Sequence, residues 1–155
     1  MNATPSYVIR IATQEDVAAV VALLADDPLG ATRENTDGAA TCYQAAFNRI
    51  EIDPNNDVLV AERDGQIVGC LQLTLIPSLT RSGMTRAQIE GVRIAASERG
   101  LGLGGQMMTW AERAARELGA GIVQLTTDKS RTDAHRFYEN LGYTASHEGM
   151  KKDLA

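Results

Sequence analysis

Apolar and polar residues alternate from Tyr7 to Ile11, the period of two expected of a short strand. Thr13 then supplies a helix N-cap with Glu15 and Asp16 behind it, and an apolar run carries a first helix to about Ala25. Asp26-Asp27-Pro28-Leu29-Gly30 breaks that helix. A second helix is expected from about Ala39 to Ile50, ended by Asp53-Pro54-Asn55-Asn56, with Leu29 to Gly38 as the connecting loop. Val58 to Glu62 and Gln66 to Ile76 are β-rich runs joined by Arg63-Asp64-Gly65, whose Asp-Gly pair signals a tight antiparallel hairpin.

Pro77 ends the second of these runs, a polar loop passes through Arg81-Ser82-Gly83, and Ala87 to Ile94 reads as a further strand. Gly91 lies inside it, where a glycine marks a bulge or a close backbone approach. Met107, Ala111, Ala114 and Leu118 recur at helical spacing, and Gly119 with Gly121 closes that helix. Ile122 to Thr127 is expected to be a strand. Ala134, Phe137, Tyr138 and Leu141 mark one face of a short helix starting near Thr132, with Gly142 at its C-cap. Tyr143 to His147 and Met150 to Leu154 can form a last hairpin, which gives the order β-α-α-β-β-β-α-β-α-β-β without repeats or linkers.

The length, 155 residues, suits one domain spanning 1–155 with a proper hydrophobic core, and 44% hydrophobic with 23% charged residues excludes wholesale disorder. A net charge of −5 argues against a general nucleic-acid surface and leaves a cationic small molecule free of overall repulsion. The longest apolar stretch, Val17 to Ala25, is far short of the ~20 residues of a membrane span. The start, Met1-Asn2-Ala3-Thr4-Pro5, shows no secretory pattern, so a cytoplasmic location is expected. Cys42, Cys70, His135 and His147 show no metal-ligand spacing; no metal is expected, and the cysteines read as small buried hydrophobes.

Chemistry concentrates in Arg99-Gly100-Leu101-Gly102-Leu103-Gly104-Gly105, between a strand and an amphipathic helix. Glycines let backbone amides turn toward one point, and at a helix N-terminus such amides, with the helix dipole, make a phosphate site. Gly100, Gly102 and Gly105 also satisfy the dinucleotide fingerprint G-x-G-x-x-G, with Asp128 at the end of the next strand. The context argues against a dinucleotide fold. Ala95 to Glu98 separate strand from glycines, and the sequence after Asp128 carries no further parallel β-α units.

Arg99, Gly102 and Gly104 meet the R/Q-x-x-G-x-G/A hallmark of the GNAT acetyltransferases, and the sequence resembles that family beyond the glycines. Ile89-Glu90-Gly91-Val92-Arg93-Ile94 is similar to the family's fourth strand, and Ala134 to Tyr143 to its closing helix and turn. The resemblance covers Val58 to Leu154 well and the N-terminal part by helix order alone. It implies an α/β fold: a mixed, curved sheet with helices on both faces, splayed between strands four and five to admit acetyl-CoA. The pyrophosphate would sit on amides of Gly100, Leu101, Gly102, Leu103, Gly104 and Gly105, with Arg99 opening the motif. The pantetheine arm would pair with the backbone of Val92, Arg93 and Ile94, as an added strand does. Arg131 stands where many members place an asparagine. A homodimer, common in the family, is an expectation of the same kind.

Acetyl transfer to an amine, whether of a small molecule or of a protein, needs a neutral nitrogen and a proton for the departing thiolate. The resemblance gives Tyr138 the acid position and Glu90 the base, acting directly or through water. Gln88, on the same strand face, could only orient the acceptor. His135 reads as a helix-surface residue. Arg81 and Arg86 flank the loop before the fourth strand and could face an anionic group, or be solvated. Asp26, Asp27 and Glu34 could line an amine site in the first helix connection, or be solvated too. No cysteine lies in the matching segments, so transfer is expected to be direct. The other readings are a non-catalytic acetyl-CoA-binding module and an interaction protein on the same fold.

Overall fold

Five strands lie side by side in chain order: β1 (Val8–Ile11), β2 (Asn56–Arg63), β3 (Gln66–Ile76), β4 (Thr85–Ile94) and β5 (Ala120–Leu125). They belong to a computed structural model that describes residues 3–34 and 40–155. The helices are α1 (Val17–Ala25), α2 (Gly30–Arg33), α3 (Ala40–Glu51), a one-turn α4 (Thr80–Gly83), α5 (Leu103–Glu117) and α6 (Thr132–Asn140). Neighbours from β1 to β4 pair antiparallel. β5 is reached from β4 through α5, the long crossover that a parallel neighbour needs, and the sheet is therefore mixed. Two compact units result, one ending at Gln124 and the other running from Leu125 to Ala155.

The β2–β3 hairpin turns as its sequence requires. Arg63 pairs with Gln66 across Asp64 and Gly65, whose φ values of 52° and 76° fit a two-residue turn matching strand twist. In β4, Glu90 pairs with Gln72 and Arg93 with Cys70, so Gly91 and Val92 together oppose Leu71. This is the expected bulge, and Gly91 accommodates it at φ 62°, where a side chain would be strained. The extra residue shifts the alternation, so Arg93 shares a face with Glu90 and Cys70.

Alternation along β3 sorts the core into two layers. Cys70 faces α1 and α3 in a cluster with Val17, Val21, Leu23, Phe47 and Val60. Leu71 and Leu73 point the other way, where α5 buries Leu103, Met107, Met108, Ala111 and Ala115 against β3 and β4. Fully burying one such aliphatic side chain contributes roughly 1.5–3 kcal/mol.

Some elements differ from the sequence reading. The buried face of α5 passes through Met108 and Ala115 rather than Ala114 and Leu118, and Leu118 is exposed at the helix end. The first part of the expected loop after Leu29 forms α2, while residues 35–38 and the expected helix start at Ala39 lie outside the described residues. The last hairpin is absent: Tyr143 to Leu154 forms no strand, and Met150 and Leu154 are exposed. With Gly149, Lys151, Lys152 and Asp153 among them, these residues offer too few apolar positions to bury a strand face. Among the described residues no helix is long and apolar enough to cross a membrane.

Candidate active site

The chain leaves β4 at Ile94, makes a 3-10 turn at Ala96–Glu98, and enters α5 through the glycine segment. Gly102 is the N-cap residue, at φ 85°, and Gly100 lies at φ 77°. Both conformations favour glycine and bend the backbone toward the helix start. The N–H of Gln106 bonds the carbonyl of Gly102 at 3.2 Å. The preceding N–H groups, of Leu103, Gly104 and Gly105, are thus the orphan donors of the first turn, at the positive end of a 15-residue helix. A Cβ built on Gly100, Gly102 or Gly105 would meet nothing within 4 Å, so the segment has room for a ligand to approach its backbone. Leu103 is buried and fixes the helix start.

Glu98 anchors this segment from below. The Tyr7 hydroxyl donates to its Oε2 at 2.7 Å, the Arg63 guanidinium donates to the same oxygen at 2.8 Å, and Ser97 Oγ donates to Oε1 at 3.3 Å. Chiefly the Tyr7 bond, then those from Arg63 and Ser97, hold the carboxyl below its usual range against the desolvation of burial. For a depressed carboxyl the contribution to stability is present above the ordinary value of ~4.3 and lost as pH falls through the folded value. Glu98→Gln is therefore expected to melt below the wild type at pH 7, with the gap closing as pH falls below about 4. Melting curves of both proteins across that range check it. Arg99 adds a second tie, donating from Nε to the Ile94 carbonyl at 3.3 Å.

On the α1/α3 side, the sheet turns from apolar to polar beyond Val60 and Cys70. Asn56, Gln72, Thr74, Arg86, Gln88 and Glu90 share this face by register. Asn56 Oδ1 accepts from Gln72 at 3.1 Å and Thr74 at 2.6 Å, and Gln124 Nε2 donates to Gln88 Oε1 at 3.2 Å. Glu90 is exposed at the edge of this patch, beside the bulge and two strand positions from Gln88. Such a surface offers amide, hydroxyl and carboxylate groups to a small polar molecule. Sequence reasoning passed over Asn56, Gln72 and Thr74. The signal was present in β3, since a strand covered on both faces should read apolar throughout, and Gln72 and Thr74 interrupt it.

Val92, Arg93 and Ile94 follow the bulge. The Arg93 guanidinium donates to the Val92 carbonyl at 2.9 Å and forms an ion pair with Asp27, Nε to Oδ2, at 2.9 Å. A carbonyl has two lone pairs, so those of Val92 and Ile94 can each accept a further donor. Asp27 also accepts the Gly30 N–H at 2.5 Å, and Glu34 accepts the Tyr43 hydroxyl at 2.7 Å. Asp27 therefore closes the turn from α1 into α2, and Glu34 ties the end of α2 to α3. Cys70 is buried, its thiol pushed up to about 12 by desolvation, so it stays a protonated core residue. Cys42, read as buried from the sequence, is exposed on α3. Among the described residues no three of histidine, cysteine, aspartate and glutamate gather as a metal-holding group.

The second unit carries Tyr138 on α6, half-buried. Its ring meets Phe137 edge-on at 5.1 Å and Tyr143 at 5.9 Å. The helix end is closed by the N–H of Tyr143 on the Tyr138 carbonyl and that of Gly142 on the Glu139 carbonyl, both at 3.0 Å, the Schellman pattern. This closure fixes the turn on which Tyr138 stands. Arg131 occupies the N-cap position, and Asp128 Oδ1 accepts from the Ser130 N–H and hydroxyl in the turn before it. His135 Nε2 lies 3.3 Å from the Asp128 carbonyl, a local contact at the helix start.

Comparison with known proteins agrees with this arrangement. The sequence pattern of the Acetyltransferase (GNAT) family matches residues 7–143. An aminoalkylphosphonate N-acetyltransferase of Salmonella typhimurium is 33% identical over 150 residues, 97% of this chain and 93% of that protein. A glucosamine 6-phosphate N-acetyltransferase of Trypanosoma brucei brucei is 34% identical over 90 residues, 58% of this chain and 59% of that one. A crystal structure from Bacillus halodurans C-125, described as a transcriptional regulator, superposes with a TM-score of 0.93 at 47% identity, covering 96% of this chain and all of that one. With the family pattern running through the sheet, the glycine segment and the closing helix, this chain belongs to the GNAT family of acetyltransferases.

Proposed function

We propose that the chain moves the acetyl group of acetyl-CoA directly to the nitrogen of a small amine. The observation that carries this reading is the open row of first-turn amides, Leu103 to Gly105, following the bulged β4. Phosphate oxygens suit those donors, and a peptide-like arm suits the strand edge at Val92 to Ile94, where β4 and β5 would splay. The single-domain reading belongs to the same proposal, since the family pattern spans both compact units. So does a cytoplasmic setting.

Glu90 takes the proton of the attacking amine, directly or through one water. As the nitrogen bonds the carbonyl carbon, the carbon–sulfur bond breaks, and the Tyr138 hydroxyl gives its proton to the sulfur. A buried, protonated Cys70 supports direct transfer without an acetyl-cysteine. The acceptor is read as an amine bearing a phosphorus oxyanion, because the Salmonella and Trypanosoma relatives both act on such amines.

Glu90→Gln is expected to lower kcat about tenfold at and below neutral pH, where the amine is still an ammonium. This is less than the ~10²-fold or more of a secluded base, because Glu90 is exposed and water can stand in for it. A pH–rate profile checks it, and a loss under about threefold at every pH would make Glu90 a structural carboxylate. The placement of the coenzyme is tested by a crystal structure with CoA bound. Pyrophosphate on the amides of Leu103 to Gly105 supports it; pyrophosphate elsewhere contradicts it.

A further inference from the structure

Arg86 begins the polar face of β4, on the strand side shared by Gln88 and Glu90 and opposite Ile76 of β3. Among the described residues its Nε, withdrawn from solvent, has no hydrogen-bond partner, and the side chain forms no ion pair. Leaving a buried guanidinium nitrogen without a partner is costly, the more so because the group is charged. The neighbouring polar groups do not relieve it. Asn56 is bonded to Gln72 and Thr74 and Gln88 to Gln124; Arg93, the other cation on this face, has a buried Nε without a well-formed hydrogen bond too, but unlike Arg86 it holds an ion pair with Asp27.

The backbone leading into Arg86 is also held in an uncommon way. Arg81 and Ser82 of α4 take left-handed φ values of 51° and 60°, conformations that are strained for non-glycine residues. Met84 then restores extended backbone, and its carbonyl accepts the Ser78 hydroxyl at 3.1 Å, closing the turn that sets where β4 begins.

We propose that Arg86 is the anion anchor of the acceptor site: its guanidinium receives the phosphate or phosphonate group of the amine substrate, whose nitrogen lies toward Glu90. The inference rests on the acceptor reading given above and adds the residue that selects for it. Arg86 and Glu90 stand four positions apart on one strand face, roughly 13 Å along β4, a span that long side chains and a small zwitterionic molecule fill together. The planar fork of arginine matches the oxygens of a phosphorus oxyanion bidentately, and such charge-assisted bonds are about twice as strong as neutral ones. Cation and carboxylate on one face thus complement an acceptor with opposite charges at its two ends.

The test measures kcat/KM for two matched pairs of acceptors, 2-aminoethylphosphonate against 2-aminoethanol and glucosamine 6-phosphate against glucosamine. The quantity read is the ratio of the anionic to the neutral member. The wild type is expected to prefer an anionic member, and Arg86→Met to lower that ratio tenfold or more. Arg86→Lys, which keeps the charge but loses the fork, should lower it several-fold, and it carries the test should the methionine variant fail to fold. A wild-type preference that survives in both variants overturns the anchor and leaves the acceptor class standing. A wild type that shows no preference in either pair, or acetylates none of the four, overturns the acceptor class and the anchor with it.

Discussion

Replacing Tyr138 with phenylalanine is expected to cut kcat about 10²-fold, some 2.7 kcal/mol of barrier, while affinity for acetyl-CoA stays within a few-fold. The thiolate leaves with a full charge, and a phenol with a reference pKa of ~10 is protonated and able to donate at neutral pH. Its hydrogen bond strengthens as that charge develops, so removing it affects the transition state more than the ground state. The half-buried ring keeps its edge contacts with Phe137 and Tyr143 in the variant, and the Schellman closure of α6 involves the backbone alone. Packing and chemistry are thereby separated. Single-turnover and steady-state rates, taken with a melting curve, check the result. Unchanged kcat with a lower melting temperature would make Tyr138 a packing residue and leave water to protonate the sulfur.

Gly104→Val is expected to raise the KM for acetyl-CoA more than 10²-fold, with melting shifted by only a few degrees. Gly104 is the second residue of α5, in helical backbone, and valine is a better helix residue than glycine, so the substitution does not strain the backbone. Its branched side chain would stand among the first-turn amides that the phosphates are proposed to reach. Gly102→Val is a poorer experiment, because φ 85° at Gly102 opposes any branched residue and confounds binding with folding. Titration of acetyl-CoA into both proteins settles the comparison. Unchanged affinity in a folded Gly104→Val would displace the coenzyme from this segment, and tighter binding of NADH than of acetyl-CoA would revive the dinucleotide reading.

The sequence declared those parts of the fold that local rules govern. Asp64-Gly65 set the hairpin, β3 ran from Gln66 to Ile76 as its pattern required, and Gly91 marked a bulge found at that residue. The glycine segment announced a helix start with free amides, and Thr132 with Gly142 bounded α6. What stayed hidden depends on residues distant in sequence. Glu98 meets Tyr7 and Arg63 across 91 and 35 positions, and nothing near Glu98 reports them. Asp27 and Arg93 meet because the Gly91 bulge moves Arg93 to the α1 side, a displacement that alternation alone would place one residue off. The left-handed turn at Arg81 and Ser82 contradicts the propensity of both residues. Arg86 was visible as a cation before the fourth strand, but its withdrawn Nε, without a partner among the described residues, belongs to tertiary structure.

The most direct measurement is the release of free CoA thiol from acetyl-CoA, followed over many turnovers with a panel of amines. More than one equivalent of thiol per protein is expected, dependent on an amine, with the N-acetylated amine recovered in equal amount. Saturable binding of acetyl-CoA with no amine-dependent thiol release would instead make the chain a coenzyme-binding module, and no binding at all would make it an interaction protein built on this fold.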